Sequence, residues 1–327
     1  MEEAYSDPLV SVIVPIYNVE CYIRKCLDSL MKQTLRQIEV ICIDDGSTDQ
    51  SGVIAEEYRS DSFPKIRVIH TVNRGLSAAR NRGINESRAG YLMFVDSDDW
   101  VEPDFCRVPY LAAIENQADM VIFQTCVTKN GKTQKEQGNI DKQTEVVDEF
   151  VAIDIGGPSS WNRLYKKELF EKIRYPEERT YEDIAITHKL VHEANLILMQ
   201  KDCLYHHIVR KGSITQTHTG KNKRDRLISA IERNNDLASY GYANEKFKAY
   251  ELSAAISYLN GARQGNDKLR KMAEEIVDSV HKMPKGLTGK QRIALKIWRK
   301  NKQLFYLFCW LGEKSRKDSR NAIVTHS

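Results

Sequence analysis

Ile38-Glu39-Val40-Ile41-Cys42-Ile43-Asp44-Asp45-Gly46-Ser47-Thr48-Asp49 passes directly from an apolar run into an acidic turn. The run 38–43 has the Val- and Ile-rich character of a strand buried in a parallel sheet. Behind the turn, Ser47 or Asp49 can cap a helix that runs to about Tyr58. Carboxylates at such a junction can accept hydrogen bonds from a base or from ribose hydroxyls, and the helix N-terminus favours an anion nearby. Asp-Gly-Ser is equally ordinary turn and cap chemistry, so the cluster alone is a weak signal of function.

The same alternation of apolar run and helical period extends outward over residues 9 to about 127. It predicts strands at 10–16, 38–43, 66–70, 91–95 and 119–127, with Ile23, Leu27, Leu30 and Met31 at helical spacing between the first two. This is an α/β pattern of βαβ units around a mostly parallel sheet, and ligands gather at the carboxyl ends of such strands. Asp, Asn and Gly are concentrated at those ends here. The polar stretch Thr128 to Glu145 reads as an exposed hairpin or mobile loop. Farther on, a helix is predicted from about Glu182 to Asn195 and a strand over 196–205, and beyond about Thr219 the chain reads as helical.

The 327 residues, 41% of them apolar, allow a catalytic domain with a smaller appendage. The expected division is 1–215 and 216–327. Seven cysteines form no CxxC pair and read as reduced core residues, not as a disulfide framework. No secretory leader is read at the N-terminus, so a cytoplasmic protein is expected. The apolar run Leu304 to Leu311 falls far short of the ~20 residues of a membrane-spanning helix. Charge is unevenly placed: residues 282–320 carry +10 and the remainder −6. A basic tail on an acidic body calls for an anionic partner.

A second acidic cluster, Asp96-Ser97-Asp98-Asp99, follows the apolar run Tyr91–Val95. Three carboxylates in four residues repel one another unless a cation or a helix dipole compensates. Hard oxygens at alternate positions can grip Mg²⁺ or Mn²⁺, which neutralises a diphosphate; the competing role is a cap for the helix after Pro103.

Five ordered stretches, Val12 to Asn18, Asp44 to Asp49, Asn73 to Asn81, Phe94 to Trp100 and Tyr181-Glu182-Asp183, resemble the inverting family 2 glycosyltransferases with the GT-A fold, in the form that builds bacterial capsular and exopolysaccharides. The resemblance spans about residues 9 to 215. It implies that Pro15, Tyr17 and Asp45 line the pocket of a nucleotide base, and that Arg80 reaches the nucleotide or its diphosphate. Asp98 would be the direct metal ligand, Asp96 a partner of ribose or metal, and Asp99 a group that orients the sugar. Glu182 and Asp183 open a helix, with Asp183 implied as the base for the acceptor hydroxyl and Glu182 as its helper. Trp161 would stack on an acceptor sugar. His207 would serve the metal or the leaving group, and Arg210 would lie near the diphosphate.

Plainer readings stand beside each role. Pro15 ends a strand, Tyr17 and Trp161 fill the core, Arg80 joins Arg74 and Arg82 on a solvated basic face, and Glu182-Asp183 complement a helix dipole. Gly75 and Gly83 read as backbone accommodations. In the tail, cations from Lys290 to Lys302 interleave with Ile293, Ile297, Trp298, Leu304, Phe305, Phe308 and Trp310, which suits a helix in the interface of an anionic bilayer with its aromatics inserted. No nucleic-acid reader accompanies it, so nucleic acid is not expected as a partner; a homodimer stays open. The expected function is transfer of a sugar from a UDP-sugar to a lipid-linked oligosaccharide on the inner face of the membrane. A nucleotidyltransferase and a binding module without turnover are the alternatives.

Overall fold

The computed structural model describes residues 7–129, 132–136, 143–209, 219–242, 244–261, 267–307 and 309. The chain divides into two compact units, Met1–Gln216 and Thr217–Ser327. In the first, β1 (Val10–Ile16), α1 (Ile23–Met31), β2 (Ile38–Asp44), α2 (Ser51–Glu56), β3 (Lys65–His70), α3 (Leu76–Glu86) and β4 (Tyr91–Phe94) alternate as βαβ units. There follow β5 (Trp100–Val101), α4 (Arg107–Asn116), β6 (Met120–Lys129), β7 (Lys132–Glu136), β8 (Thr144–Val147), α5 (Glu149–Gly156), β9 (Arg163–Lys166), α6 (Glu182–Glu193) and β10 (Ile197–Ile208). One mixed sheet holds every strand in the order β3-β2-β1-β4-β9-β6-β10-β5, with β7 on β6 and β8 on β10.

β1 and β2 are buried at every position, which is why they read as unbroken apolar runs. They pair in parallel from Val10↔Ile38 to Ile16↔Asp44. On its other side β1 pairs with β4, but only from Val10↔Tyr91 to Ile13↔Phe94. The Ile13 carbonyl accepts from the N–H of Val95. Pro15, two residues on, directs its backbone to that same side beyond the ladder, so its missing N–H costs the sheet nothing. The chain thus steps from β1 to β2 to β3 in one direction, and α3 then carries it back across β1 to β4. Open α/β sheets bind their ligands at such a reversal of strand order, here at the carboxyl ends of β1 and β4.

In the farther half, β9 runs antiparallel to both β4 and β6, and β10 is parallel to β6. The polar stretch 128–145 supplies strands β7 and β8 where it is described; residues 130–131 and 137–142 lie outside the described residues. One expectation fails here. Cys126 on β6 and Cys203 on β10 are joined as a disulfide, although the residues lie 77 apart in sequence. The parallel pairing of β6 with β10 brings them together across a register shift, which spacing in the sequence does not reveal.

The second unit is helical: α7 (Gly220–Ser239), α8 (Glu245–Leu259), α9 (Asp267–Asp278) and α10 (Gly289–Lys300). Thr219 and Asn244 cap α7 and α8, and Thr288 with Gln291 forms a capping box on α10. Leu227, Leu252, Leu269 and Leu295 are among the residues of its shared core. The expected insertion of tail aromatics into lipid is corrected for Trp298 and Phe305, which are buried in this core, with the Trp298 indole N–H on Asp278 Oδ1 at 2.8 Å. Phe308 and Trp310 lie outside the described residues. Among the described residues no helix is long and apolar enough to cross a membrane.

Candidate active site

The acidic turn after β2 divides its two carboxylates. Asp44 turns back, accepting from the Ser47 amide at 3.0 Å and facing His70 Nδ1 at 2.8 Å. Asp45 faces the next strand end: Oδ1 accepts from the Arg74 amide at 2.9 Å and Oδ2 from the Gly75 amide at 2.7 Å. It therefore pins the loop after β3, and it is only 4% exposed. Gly46, at φ +71°, lets that loop close, since a Cβ there would stand 2.9 Å from the Asn73 nitrogen. Beside it, at the end of β1, Tyr17 is 48% exposed while Pro15 is buried in the sheet. The core reading of Tyr17 is thus excluded.

At the end of β4 the acidic cluster meets the start of α6. Arg80, on the inner face of α3, donates through Nη2 to Asp96 Oδ1 at 2.8 Å and through Nη1 to Glu182 Oε1 at 2.5 Å. It is 3% exposed, and the Tyr175 ring lies 5.3 Å from its guanidinium. Burial works against its charge, but the Asp96 and Glu182 carboxylates more than offset this and raise its pKa.

Asp183 follows Glu182 in the first turn of α6, where the helix dipole favours a carboxylate. Tyr181, at φ 59°, reverses the chain just before it. Asp183 is half-buried, and its Oδ1 accepts from the Ile184 amide at 2.7 Å. Burial first, and then the adjacent Glu182 carboxylate, push its pKa up to about 7 against the pull of Arg80. A carboxylate poised near neutrality is suited to general base chemistry.

Asp99 is a buried hub. Its Oδ1 accepts from the Ile208 amide at 2.7 Å, and its Oδ2 accepts from the Tyr205 hydroxyl at 2.7 Å and faces His207 Nδ1 at 3.2 Å. The Tyr205 oxygen in turn accepts from the Asp96 amide at 3.1 Å. Trp161 stacks on Tyr205 at 4.5 Å and on His207 at 5.7 Å. A continuous hydrogen-bonded chain thus runs from Glu182 through Arg80, Asp96 and Tyr205 to Asp99 and the end of β10.

A family model described as Glycosyl transferase family 2 matches residues 11–174. EpsH of Bacillus subtilis, named a glycosyltransferase, is 33% identical over 304 residues, which cover 86% of this chain and 87% of that protein. The chain belongs to glycosyl transferase family 2. Glycosyltransferase GlyA of Streptococcus pneumoniae serotype 4 is 35% identical over 277 residues; these are 79% of this chain but 39% of GlyA, so the chain matches well under half of that relative's length. The crystal structure of S. aureus TarS 1-349 in complex with UDP-GlcNAc shares the fold, with a TM-score of 0.63 at 22% identity over 95% of this chain and 92% of that one.

Within this family 2 glycosyltransferase, the structure shows what the expected site residues already hold. Arg80 is not a solvated cation, because Asp96 and Glu182 hold its buried guanidinium. The Asp99 carboxylate is buried on Ile208, Tyr205 and His207, and burial raises its pKa to about 6. The expected metal set of Asp96, Asp98 and His207 does not converge, and among the described residues no three His, Cys, Asp or Glu side chains do. Arg80 takes Asp96, and Asp99 takes His207. His206, next to His207, is stacked on Trp100 at 3.6 Å and paired with Glu102 at 2.7 Å. Arg210 lies outside the described residues.

Two buried groups carried no legible signal. Tyr205 closes the chain described above, yet in sequence it is only the last residue of an expected strand. Arg163 is 0% exposed and is held by the carbonyls of Ser159 and Gly157, beyond the C-terminus of α5, and by Asn162 Oδ1. A Cβ at Gly156 would stand 2.6 Å from its Nη2, so any larger residue there would have to displace the guanidinium.

Proposed function

We propose that the chain transfers one sugar from a nucleotide-sugar to an acceptor hydroxyl, with inversion at the anomeric carbon. The observation that carries this reading is the Arg80 bridge, which sets Asp96, a strand-end carboxylate of the second acidic cluster, beside the helix start that bears Asp183. Donor and acceptor halves of a displacement site then share one crevice. Exposed Tyr17, with Pro15 and the loop pinned by Asp45, forms the platform for the base. A UDP-sugar is the proposed donor, in keeping with the UDP-GlcNAc complex of the similarly folded TarS.

Half-buried Asp98 supplies a hard oxygen at the crevice, and no full cage of protein ligands surrounds it among the described residues. That donor set fits Mg²⁺ or Mn²⁺ shared with a diphosphate, because such ions commonly take one or two carboxylates and complete their shell with phosphate oxygens and water. When bound, the cation neutralises charge on the departing diphosphate. Asp183 takes the acceptor's hydroxyl proton as that oxygen bonds to the anomeric carbon, and the bond from that carbon to the diphosphate oxygen breaks on the opposite face. The proton ends on Asp183, and the nucleoside diphosphate leaves. Trp161, half-buried on the Tyr205 and His207 rings, is the proposed wall for the acceptor sugar.

The acceptor is proposed to be a lipid-linked oligosaccharide of capsular or exopolysaccharide assembly, with the enzyme held at the inner face of the membrane. Support for the membrane comes from the helical unit, where Lys290, Arg292, Lys296, Arg299 and Lys300 are exposed around Ile293, itself 52% exposed. Incubation with a panel of UDP-, GDP- and CMP-sugars, scored for released nucleotide, tests the reaction. Release from one UDP-sugar, with the product of opposite anomeric configuration by NMR, is the expected result. Transfer with retained configuration would refute the direct displacement.

A further inference from the structure

Arg80 stands on α3, whose seat on β1 is fixed by the close approach of Gly83 to Ile13. Its guanidinium meets two carboxylates from two other places, Asp96 beyond β4 and Glu182 at the start of α6. Tyr175 covers one face, and almost none of the side chain meets solvent. A planar fork with five N–H donors can hold two carboxylates in a fixed mutual geometry, whereas an ammonium is a single point charge. On the other side of Glu182, the αL residue Tyr181 breaks the helix, so the first turn of α6 is not continued backwards.

We propose that Arg80 is a positioning residue: it clamps the first turn of α6, and with it the Asp183 carboxylate, to the strand-end residue Asp96, and it does not touch the donor's diphosphate. The proposal rests on the reading of Asp183 as the base. Asp183 is faced by Glu182 on its own helix, by Arg80 on α3, by Asp96 beyond β4, and by Arg163 and Tyr165 on β9. Loss of the Arg80 charge leaves Glu182 and Asp96 to disfavour ionised Asp183, while the clamp itself is lost even where a charge is kept.

The test uses the full chain with Arg80→Lys and Arg80→Gln. UDP affinity is measured by titration calorimetry, and kcat, donor KM and the pH profile on the donor that the wild type turns over. Expected are a UDP Kd and donor KM within about threefold of wild type and a kcat roughly 10- to 100-fold lower in both variants, the scale set by a misplaced reacting group. The acid limb should rise by about one pH unit in Arg80→Gln and less in Arg80→Lys. A tenfold weaker UDP Kd with kcat retained would overturn the proposal, because it would place Arg80 on the diphosphate. An unchanged kcat in Arg80→Lys would overturn it as well. A thermal-stability cycle of Arg80→Lys, Glu182→Gln and the double variant gives a readout that needs no turnover. Non-additive effects are expected, and additive ones would contradict the clamp. Inactivity of the wild type on every nucleotide-sugar would refute the functional reading, and the stability cycle would still decide the clamp.

Discussion

Asp183 gives the site its pH dependence. Its carboxyl titrates near 7 because burial and the neighbouring Glu182 disfavour the charged form. A base must be deprotonated to act, so kcat/KM should climb as pH rises through about 7 and level off above it; a rate that falls over that interval would exclude Asp183. The Glu182-Asp183 pair was legible in the sequence, since carboxylates opening a helix announce themselves. The partner of Glu182 was not. Arg74, Arg80 and Arg82 look alike as letters, but Arg74 and Arg82 lie outside on Glu177 and Glu86, while Arg80 shares the buried side of α3 with Ser77, Gly83 and Ile84. Only the seat of α3 on the sheet distinguishes them. The burial of Asp99 was hidden for the same reason: its neighbours Asp96 and Asp98 are half-exposed, and a strand-end cluster read in sequence does not say which carboxylate turns inward.

At the scale of elements, the apolar strands of the first 129 residues were read within a residue or two, β1 throughout and β10 three residues short at its end, because unbroken Val- and Ile-rich runs are what a doubly covered parallel strand requires. β5 and β9 were missed, being too short to show a period. Helix α2 starts later than its capping letters suggest: Ser47 Oγ is taken by the Asn18 amide, and Asp49 accepts from Ser51 and Glu20. Gly83 brings α3 against β1 so closely that a Cβ there would collide with Ile13 Cγ2. Gly83→Ala should force the helix outward and destabilise the chain by about 1–3 kcal/mol, the usual cost of overpacking. Denaturant melts measure this, and an unchanged midpoint would show that α3 can shift freely.

For the molecule as a whole, the split between an acidic body and a basic tail was readable from charge alone, but the use of the tail aromatics was not, because burial of Trp298 and Phe305 depends on the other helices of that unit. A chain cut near Pro284 would lose Leu287, Leu295 and Trp298 from that core, so exposed charge is the better probe. The triple variant Lys290→Glu, Lys296→Glu, Lys300→Glu should sediment far less with anionic vesicles while melting as wild type, since each surface cation contributes about 1 kcal/mol near such a bilayer. Undiminished sedimentation would place membrane contact elsewhere. Sugar identity was beyond the sequence because it depends on pocket shape, which no motif encodes. The central claim is that Asp183 belongs to the chemistry and the strand ends of β1 and β2 to the nucleotide. The most direct measurement is UDP affinity and turnover on one preparation of Asp183→Asn. The expected result is an affinity within about twofold of wild type with turnover reduced by roughly 10²–10⁴; retained turnover, or affinity lost along with it, would contradict the claim.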